Sequence, residues 1–157
     1  MSDMNMKRRS LLKGAMAAGT VGLAVGAGLL SPRMVLAAWP KSAFDAKSVE
    51  DAVKGLGGSG TEASGDISIK APDIAENGAV VPVTVETTLP AESIAVMASS
   101  NGTPLAADFM LGEGAGGFVS TRIKMGKTGD VVAVVKSGGK LYSASKSVKV
   151  TIGGCGG

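Results

Sequence analysis

From residue 67 onward the chain is a succession of short apolar runs, some with hydrophobic residues at every second position and one, Val131 to Lys136, nearly continuous in valine. A period of two puts successive side chains on opposite faces of an extended backbone, so such runs fold as half-buried strands and not as helices. Val81, Val83 and Val85 alternate with Pro82, Thr84 and Glu86, and Val119, Thr121 and Ile123 alternate with Ser120, Arg122 and Lys124. The pattern predicts strands over Ile67 to Ala71, Ala79 to Thr88, Ser93 to Ala98, Phe109 to Leu111, Phe118 to Met125, Val131 to Lys136, Leu141 to Ser145 and Val148 to Ile152. Pro82 has no N–H to give to a ladder, which points to an edge strand or a bulge. Ser137-Gly138-Gly139-Lys140 is a hairpin turn. Short strands separated by glycine-rich turns at this spacing specify an all-β fold, an immunoglobulin-like antiparallel β-sandwich. The Cys and Trp hallmarks of antibody domains are missing, so the expectation concerns architecture alone.

One helix precedes the strands. Val49, Ala52, Val53 and Leu56 form an i, i+3, i+4, i+7 stripe, with Ser48 placed to cap it and Asp51 three residues later. Gly57-Gly58-Ser59-Gly60 ends it. The expected helix, Ser48 to Leu56, is short, and its stripe should cover one end of a sheet.

Residues 1–37 read as an export signal and not as part of the fold. Lys7-Arg8-Arg9-Ser10-Leu11-Leu12-Lys13 is a basic block with paired arginines. An uncharged run rich in Ala and Gly follows from Gly14 to Leu30, and Val35-Leu36-Ala37 offers a small-residue cleavage site. Cleavage would fall before Ala38 or Trp39. Arg8 and Arg9 favour the twin-arginine route, which places the mature chain in the periplasm. A membrane span needs about 20 strongly apolar residues, and this glycine-rich run is shorter, so no anchor is expected after cleavage. The expected organisation is a cleaved signal over 1–37, one sandwich domain with its helix over 38–152, and a tail over 153–157.

Cleavage alters the charge. The full sequence holds 16 Lys plus Arg against 13 Asp plus Glu, a net charge of +3. Removing Lys7, Arg8, Arg9, Lys13 and Arg33 together with Asp3 leaves 11 basic and 12 acidic residues, a net charge of −1. The concentrated basic surface that nucleic acid requires is therefore not expected. The chain has no histidine and one cysteine. That removes Ser-His-Asp triads, Cys-His pairs, His metal ligands, internal disulfides and Cys-x-x-Cys redox pairs. No metal and no cofactor are expected. What remains is a carboxylate or lysine enzyme, a binding or structural module, or a carrier whose single thiol is the chemistry.

Gly112-Glu113-Gly114-Ala115-Gly116-Gly117 matches G-x-G-x-x-G. The nucleotide-binding form of that motif needs a helix after it, and here a strand pattern begins at Phe118, so a plain loop is expected. The acidic residues show no spacing of an acid–base pair or a calcium loop. Lys136, Lys140, Lys146 and Lys149 are expected on the wet face of the last strands.

The tail is different. After Ile152 the chain reads Gly153-Gly154-Cys155-Gly156-Gly157. Glycine has the widest backbone freedom of any residue, so Gly153, Gly154, Gly156 and Gly157 make a flexible arm for Cys155. Two readings of this thiol stay open. One is a structural sandwich module that dimerises through a Cys155 disulfide, credible for an unpaired thiol in an oxidising compartment. The other is a swinging arm on which Cys155 carries covalent cargo. With no basic group nearer than Lys149, the thiol pKa is expected near 8.5, leaving about 3% thiolate at pH 7. Activation must then come from whatever enzyme acts on it, and no residue of this chain is expected to be catalytic.

The paired arginines, the β-rich body and the terminal Gly-Gly-Cys-Gly-Gly resemble the SoxY family, the sulfur-carrier subunits of the Sox thiosulfate-oxidation system. The resemblance spans the whole chain, and its sharp motifs are the signal and the tail. It implies that Cys155 bears thiosulfate-derived sulfur as thiosulfonate and sulfane intermediates. It implies a heterodimer with a SoxZ-like subunit. It further implies visits to the SoxXA cytochrome, which loads thiosulfate, the SoxB hydrolase, which releases sulfate, and, where present, the SoxCD sulfane dehydrogenase.

Overall fold

The computed structural model describes residues 40–151. The signal segment with Arg8 and Arg9, and the arm with Cys155 and its four flanking glycines, lie outside the described residues.

Two helices open the described chain. α1 (Lys41–Phe44) is a single turn, with Lys41 and Asp45 paired across it. α2 (Val49–Gly55) starts on the Ser48 side chain, whose Oγ accepts the Asp51 N–H at 3.1 Å, satisfying a donor that the first turn leaves open. The Lys54 ammonium and the Ser48 hydroxyl beside the Asp51 carboxyl hold it below the usual carboxylate range. Gly57 ends the helix at φ +91°, a conformation other residues rarely take, and the Gly57 and Gly58 N–H groups close back on Lys54 O and Val53 O.

Nine strands follow: β1 (Glu62–Ala63), β2 (Ile67–Lys70), β3 (Ile74–Ala75), β4 (Val81–Thr87), β5 (Ser93–Ala98), β6 (Leu105–Met110), β7 (Phe118–Ile123), β8 (Gly129–Ser137) and β9 (Lys140–Val150). The larger sheet runs β1-β9-β8-β5-β6, with β3 also on β9, and the smaller runs β2-β4-β7. The two form an open sandwich of the expected immunoglobulin-like, all-β kind. Val81, Val83 and Val85 of β4 face Ile94 and Val96 of β5 and Val131 of β8 in the core between the sheets. The other face of the larger sheet is covered as well. Ala52 and Val53 of α2 and Ala43 of α1 pack on Ala95, Met97 and Val134. The stripe on α2 thus covers the sheet as its period predicts, and all six residues of β5 are buried.

The hairpin Ser137-Gly138-Gly139-Lys140 forms as expected, with positive φ at both glycines, +57° and +76°. Four expectations are corrected. Leu141 to Ser145 and Val148 to Ile152 are one strand, because Lys146 and Ser147 stay in register with Val131 and Asp130 of β8. The brief strand at Phe109 extends back to Leu105, paired with Met97 across a register shift. Pro82 lies in the middle strand of the smaller sheet, not on an edge strand. It is tolerated there because β2 ends its ladder at Lys70↔Thr84, so Pro82 faces only Arg122 of β7. The fourth concerns parallel pairs, which an antiparallel sandwich does not anticipate. The segment 62–75 pairs with β9 as β1 (Glu62↔Tyr142), crosses to the smaller sheet as β2, and returns to β9 as β3 (Ala75↔Val150).

Gly55 marks the tightest approach between the two helices, since a Cβ there would overlap the backbone of Ala43. Gly55→Ala should therefore lower stability by about 1–3 kcal/mol, although alanine favours helix, because neither backbone can yield. Denaturant unfolding of the full chain checks this, with a reduced midpoint at unchanged slope as the expected outcome.

Candidate functional site

Cys155 is four residues beyond Thr151, the last described residue. What the structure positions is the last described part of β9, called the root below. One edge of this segment is held by β3: the Lys149 N–H donates to Asp73 O at 2.9 Å and the Thr151 N–H to Ala75 O at 3.2 Å. Lys146 adds an ion pair to Asp73 at 3.1 Å. The other edge is held by β8 as far as Gly129↔Val148, and beyond it by the Thr128 side chain, whose Oγ1 accepts the Val150 N–H at 3.0 Å. Beneath the strand, the turn at Gly78 packs so closely that a Cβ there would come within 2.9 Å of Val150 Cγ1. No sequence pattern announces Asp73, Ala75 or Thr128 as partners of the root. Their roles depend on where β8 and β3 stop.

The other singled-out residues lie elsewhere. Gly112 to Gly117 is a loop leading directly into β7, as expected, and it sits at the end of the sandwich where β9 begins. The eleven residues of β9 separate it from the root by about 33 Å. Three of the four late lysines are paired, Lys136 with Glu92 (3.9 Å), Lys140 with Glu62 (3.3 Å) and Lys146 with Asp73. Those pairs offset much of the positive field that lysines could offer an anionic partner. The hydrogen bond from Lys140 to Glu62 raises the lysine pKa. Among the described residues no group of three His, Cys, Asp or Glu side chains converges to hold a metal, and no helix is long and apolar enough to cross a membrane.

Two shallow clefts, of about 490 and 480 Å3, flank β1. Glu62 and Lys140, the ionisable groups of the first, pair with each other. The second is lined by Ser, Thr, Ala, Val and Gly. Neither offers a nucleophile beside a base. One group stands out: Asp108 on β6, half-buried, whose Oδ1 has no hydrogen-bond partner among the described residues. Burial raises its pKa, and the Lys136 charge offsets the rise in part.

The family model described as sulfur oxidation protein SoxY matches residues 53–155, from the middle of α2 to Cys155 itself. Among solved structures, the sulfur carrier protein SoxY from Chlorobium limicola f thiosulfatophilum is 45% identical, covering 71% of this chain and 99% of its own, with a TM-score of 0.61. A superoxide reductase (neelaredoxin) from Ignicoccus hospitalis is 20% identical over 54% of this chain and 78% of its own, with a TM-score of 0.49. No curated protein matches the chain.

The raised pKa of Asp108 fixes the sign of a pH effect. A carboxyl that holds its proton more tightly folded than unfolded contributes stability below its unfolded value, near 3.8, and that contribution is lost as pH rises through the folded value. Asp108→Asn should therefore stabilise the protein at neutral pH, by under about 1 kcal/mol for a group still half in water. The gain should shrink toward zero as pH falls below the unfolded value. Thermal melts of both proteins from pH 3 to pH 8 read this directly.

Proposed function

The chain belongs to the SoxY family of sulfur oxidation proteins, and we propose on that basis that it is a covalent sulfur carrier with Cys155 as the point of attachment. The observation that carries the proposal is the family match, which runs through to the sole cysteine of the sequence. That cysteine sits between two pairs of glycines, which leave no side chains to obstruct entry into a narrow enzyme pocket.

The cargo chemistry balances on a single thiol. Thiosulfate joins Cys155 when the thiol S–H breaks and an S–S bond forms, giving a cysteine S-thiosulfonate. One proton and two electrons leave, the electrons to a cytochrome of the SoxXA kind. Water then attacks the terminal sulfonate at a SoxB-like hydrolase, releasing sulfate and two protons and leaving a persulfide on Cys155. Where the cell has one, a sulfane dehydrogenase of the SoxCD kind oxidises that outer sulfur to a sulfonate with oxygen from three waters, releasing six protons and passing six electrons to an external cytochrome acceptor, and a second hydrolysis releases sulfate and a proton and restores the thiol. In this scheme the chain catalyses no step. An unassisted thiol near pKa 8.5 is mostly protonated at neutral pH, which suits a carrier that reacts only inside its enzymes.

The proposed location rests on the export-signal reading, and the proposed assembly on what the family resemblance implies. The twin-arginine block and the Val35-Leu36-Ala37 site support export to the periplasm by the twin-arginine route. A SoxZ-like subunit is the proposed constitutive partner. That route carries folded proteins, so a partner without its own signal could travel with this chain.

Intact mass of the protein from thiosulfate-grown cells tests the reading. Adducts of sulfane sulfur and of thiosulfonate should appear on Cys155, disappear with a reducing agent, and be absent from Cys155→Ser. Growth on thiosulfate should fail in the Cys155→Ser strain. Adducts absent under turnover, or a substituted strain that still oxidises thiosulfate, would overturn it. A disulfide-linked homodimer without adducts would instead favour the structural module.

A further inference from the structure

The two sheets leave free edges on one side of the sandwich. β2 packs against β9, so the strands at the far ends of the two sheets, β7 and β6, stand together. A cleft of about 350 Å3 lies between them, with Thr121 and Ile123 on one wall and Leu105 and Ala107 on the other. The ladder to β4 fixes which backbone groups of β7 face outward. The Thr87 N–H bonds Gly117 O, and from that pair the bonded residues alternate through Val119, Thr121 and Ile123. Phe118, Ser120 and Arg122 therefore turn their backbone groups away from β4. The Phe118 N–H closes on Gly116 O at 2.8 Å, and the groups of Ser120 and Arg122 meet no described strand. The other edges are protected. β9 is covered by β1 and β3, and β6 carries a register shift between Val96 and Met97 that leaves Ala106 without a partner on β5. β7 pairs with β4 without a break, so its outer edge is regular as well as free.

The charge at this edge has one sign. Arg122 and Lys124 reach the lining of the cleft and no carboxylate does. Arg122 is exposed and makes no ion pair among the described residues. Asn101 braces that end: its Nδ2 donates to Lys124 O at 2.7 Å, and its Oδ1 accepts the Gly126 N–H at 3.0 Å. At the other end Phe118 stands exposed on the outer face. From these observations we infer that the free edge of β7 is a docking site for an extended acidic segment of a partner protein, added as an antiparallel strand. Ser120 and Arg122 exchange backbone hydrogen bonds with the segment, which gives affinity without regard to its side chains. Selectivity comes from the side chains directly opposite: a carboxylate across from Arg122 and an apolar group across from Phe118. A basic segment is turned away by the same cations. The inference is independent of the reading of Cys155.

The test uses the full chain and a synthetic strand, acetyl-Glu-Val-Glu-Val-Thr-Val-Tyr-amide, whose antiparallel register sets its second Glu opposite Arg122 and its Tyr opposite Phe118. With peptide at about ten times its Kd, amide exchange at Ser120 and Arg122 should slow about tenfold, while Asp108 and Met110 on β6 are unchanged. Methylating the peptide nitrogens of Thr and the second Glu, which face β7 in this register, should abolish the effect. Replacing both Glu by Lys should weaken binding about tenfold, and Arg122→Glu should reverse the preference between the two peptides. Arg122 is exposed and unpaired, so this substitution leaves folding intact. No slowing at millimolar peptide, slowing on β6 instead of β7, equal binding of the methylated peptide, or an unreversed preference in Arg122→Glu would each overturn the inference. Slowing at Ser120 and Arg122 that grows with protein concentration in the absence of peptide would assign the edge to a second copy of this chain and overturn it as well.

Discussion

The two central strands of the larger sheet, β5 and β8, are buried on both faces, and the rest of the structure depends on that. β5 and β8 send alternate side chains to opposite sides, Ile94, Val96 and Val131 toward the smaller sheet and Ala95, Met97 and Val134 toward the helices. A strand buried on both sides cannot slip by one residue without exchanging two apolar sets that differ in size and surroundings. Register is thus fixed at the centre of the sheet and propagates outward through the ladder to β9. The helices are too short to be stable alone. They are held by the apolar face they cover, and the cap at Ser48 sets where α2 begins.

Around that centre the fold distributes its free edges unevenly. β6 and β7 are open edges, and large apolar side chains stand exposed near them, Met110 at 75% and Phe118 at 56%. β9 would be an open edge too, but the segment 62–75 lies along it twice, as β1 and β3, and crosses to the smaller sheet between them. Backbone groups that would otherwise invite another chain are thereby paired within this one. The strand so enclosed is the strand that leads to Cys155.

Much of this architecture was legible in the amino-acid order. Strict alternation over Val81, Val83 and Val85 marks a half-buried strand because the pattern reports burial directly. Ser48 and Asp51 mark a helix start because the cap is a local interaction. The contacts that escaped are those whose partners lie far along the chain. β1 and β3 are two residues each, too short to show a period, and pair with residues 142–150 across some 75 intervening positions. Pro82 looked incompatible with a middle strand because its tolerance depends on where β2 stops. The candidate site divides in the same way. A lone cysteine among glycines is visible in any reading of the sequence, and the family match ends on it. Thr128 is an ordinary polar turn residue until the end of β8 is placed beside Val150.

The double enclosure of β9 also has a mechanical consequence. A pull applied beyond Thr151 runs along the axis of a strand laddered to β8 on one side and to β1 and β3 on the other. Such a load acts in shear, so hydrogen bonds along both edges resist together; a strand peeled sideways would lose them one at a time. Tension carried along β9 is therefore shared between both of its edges, and the body need not unravel under it.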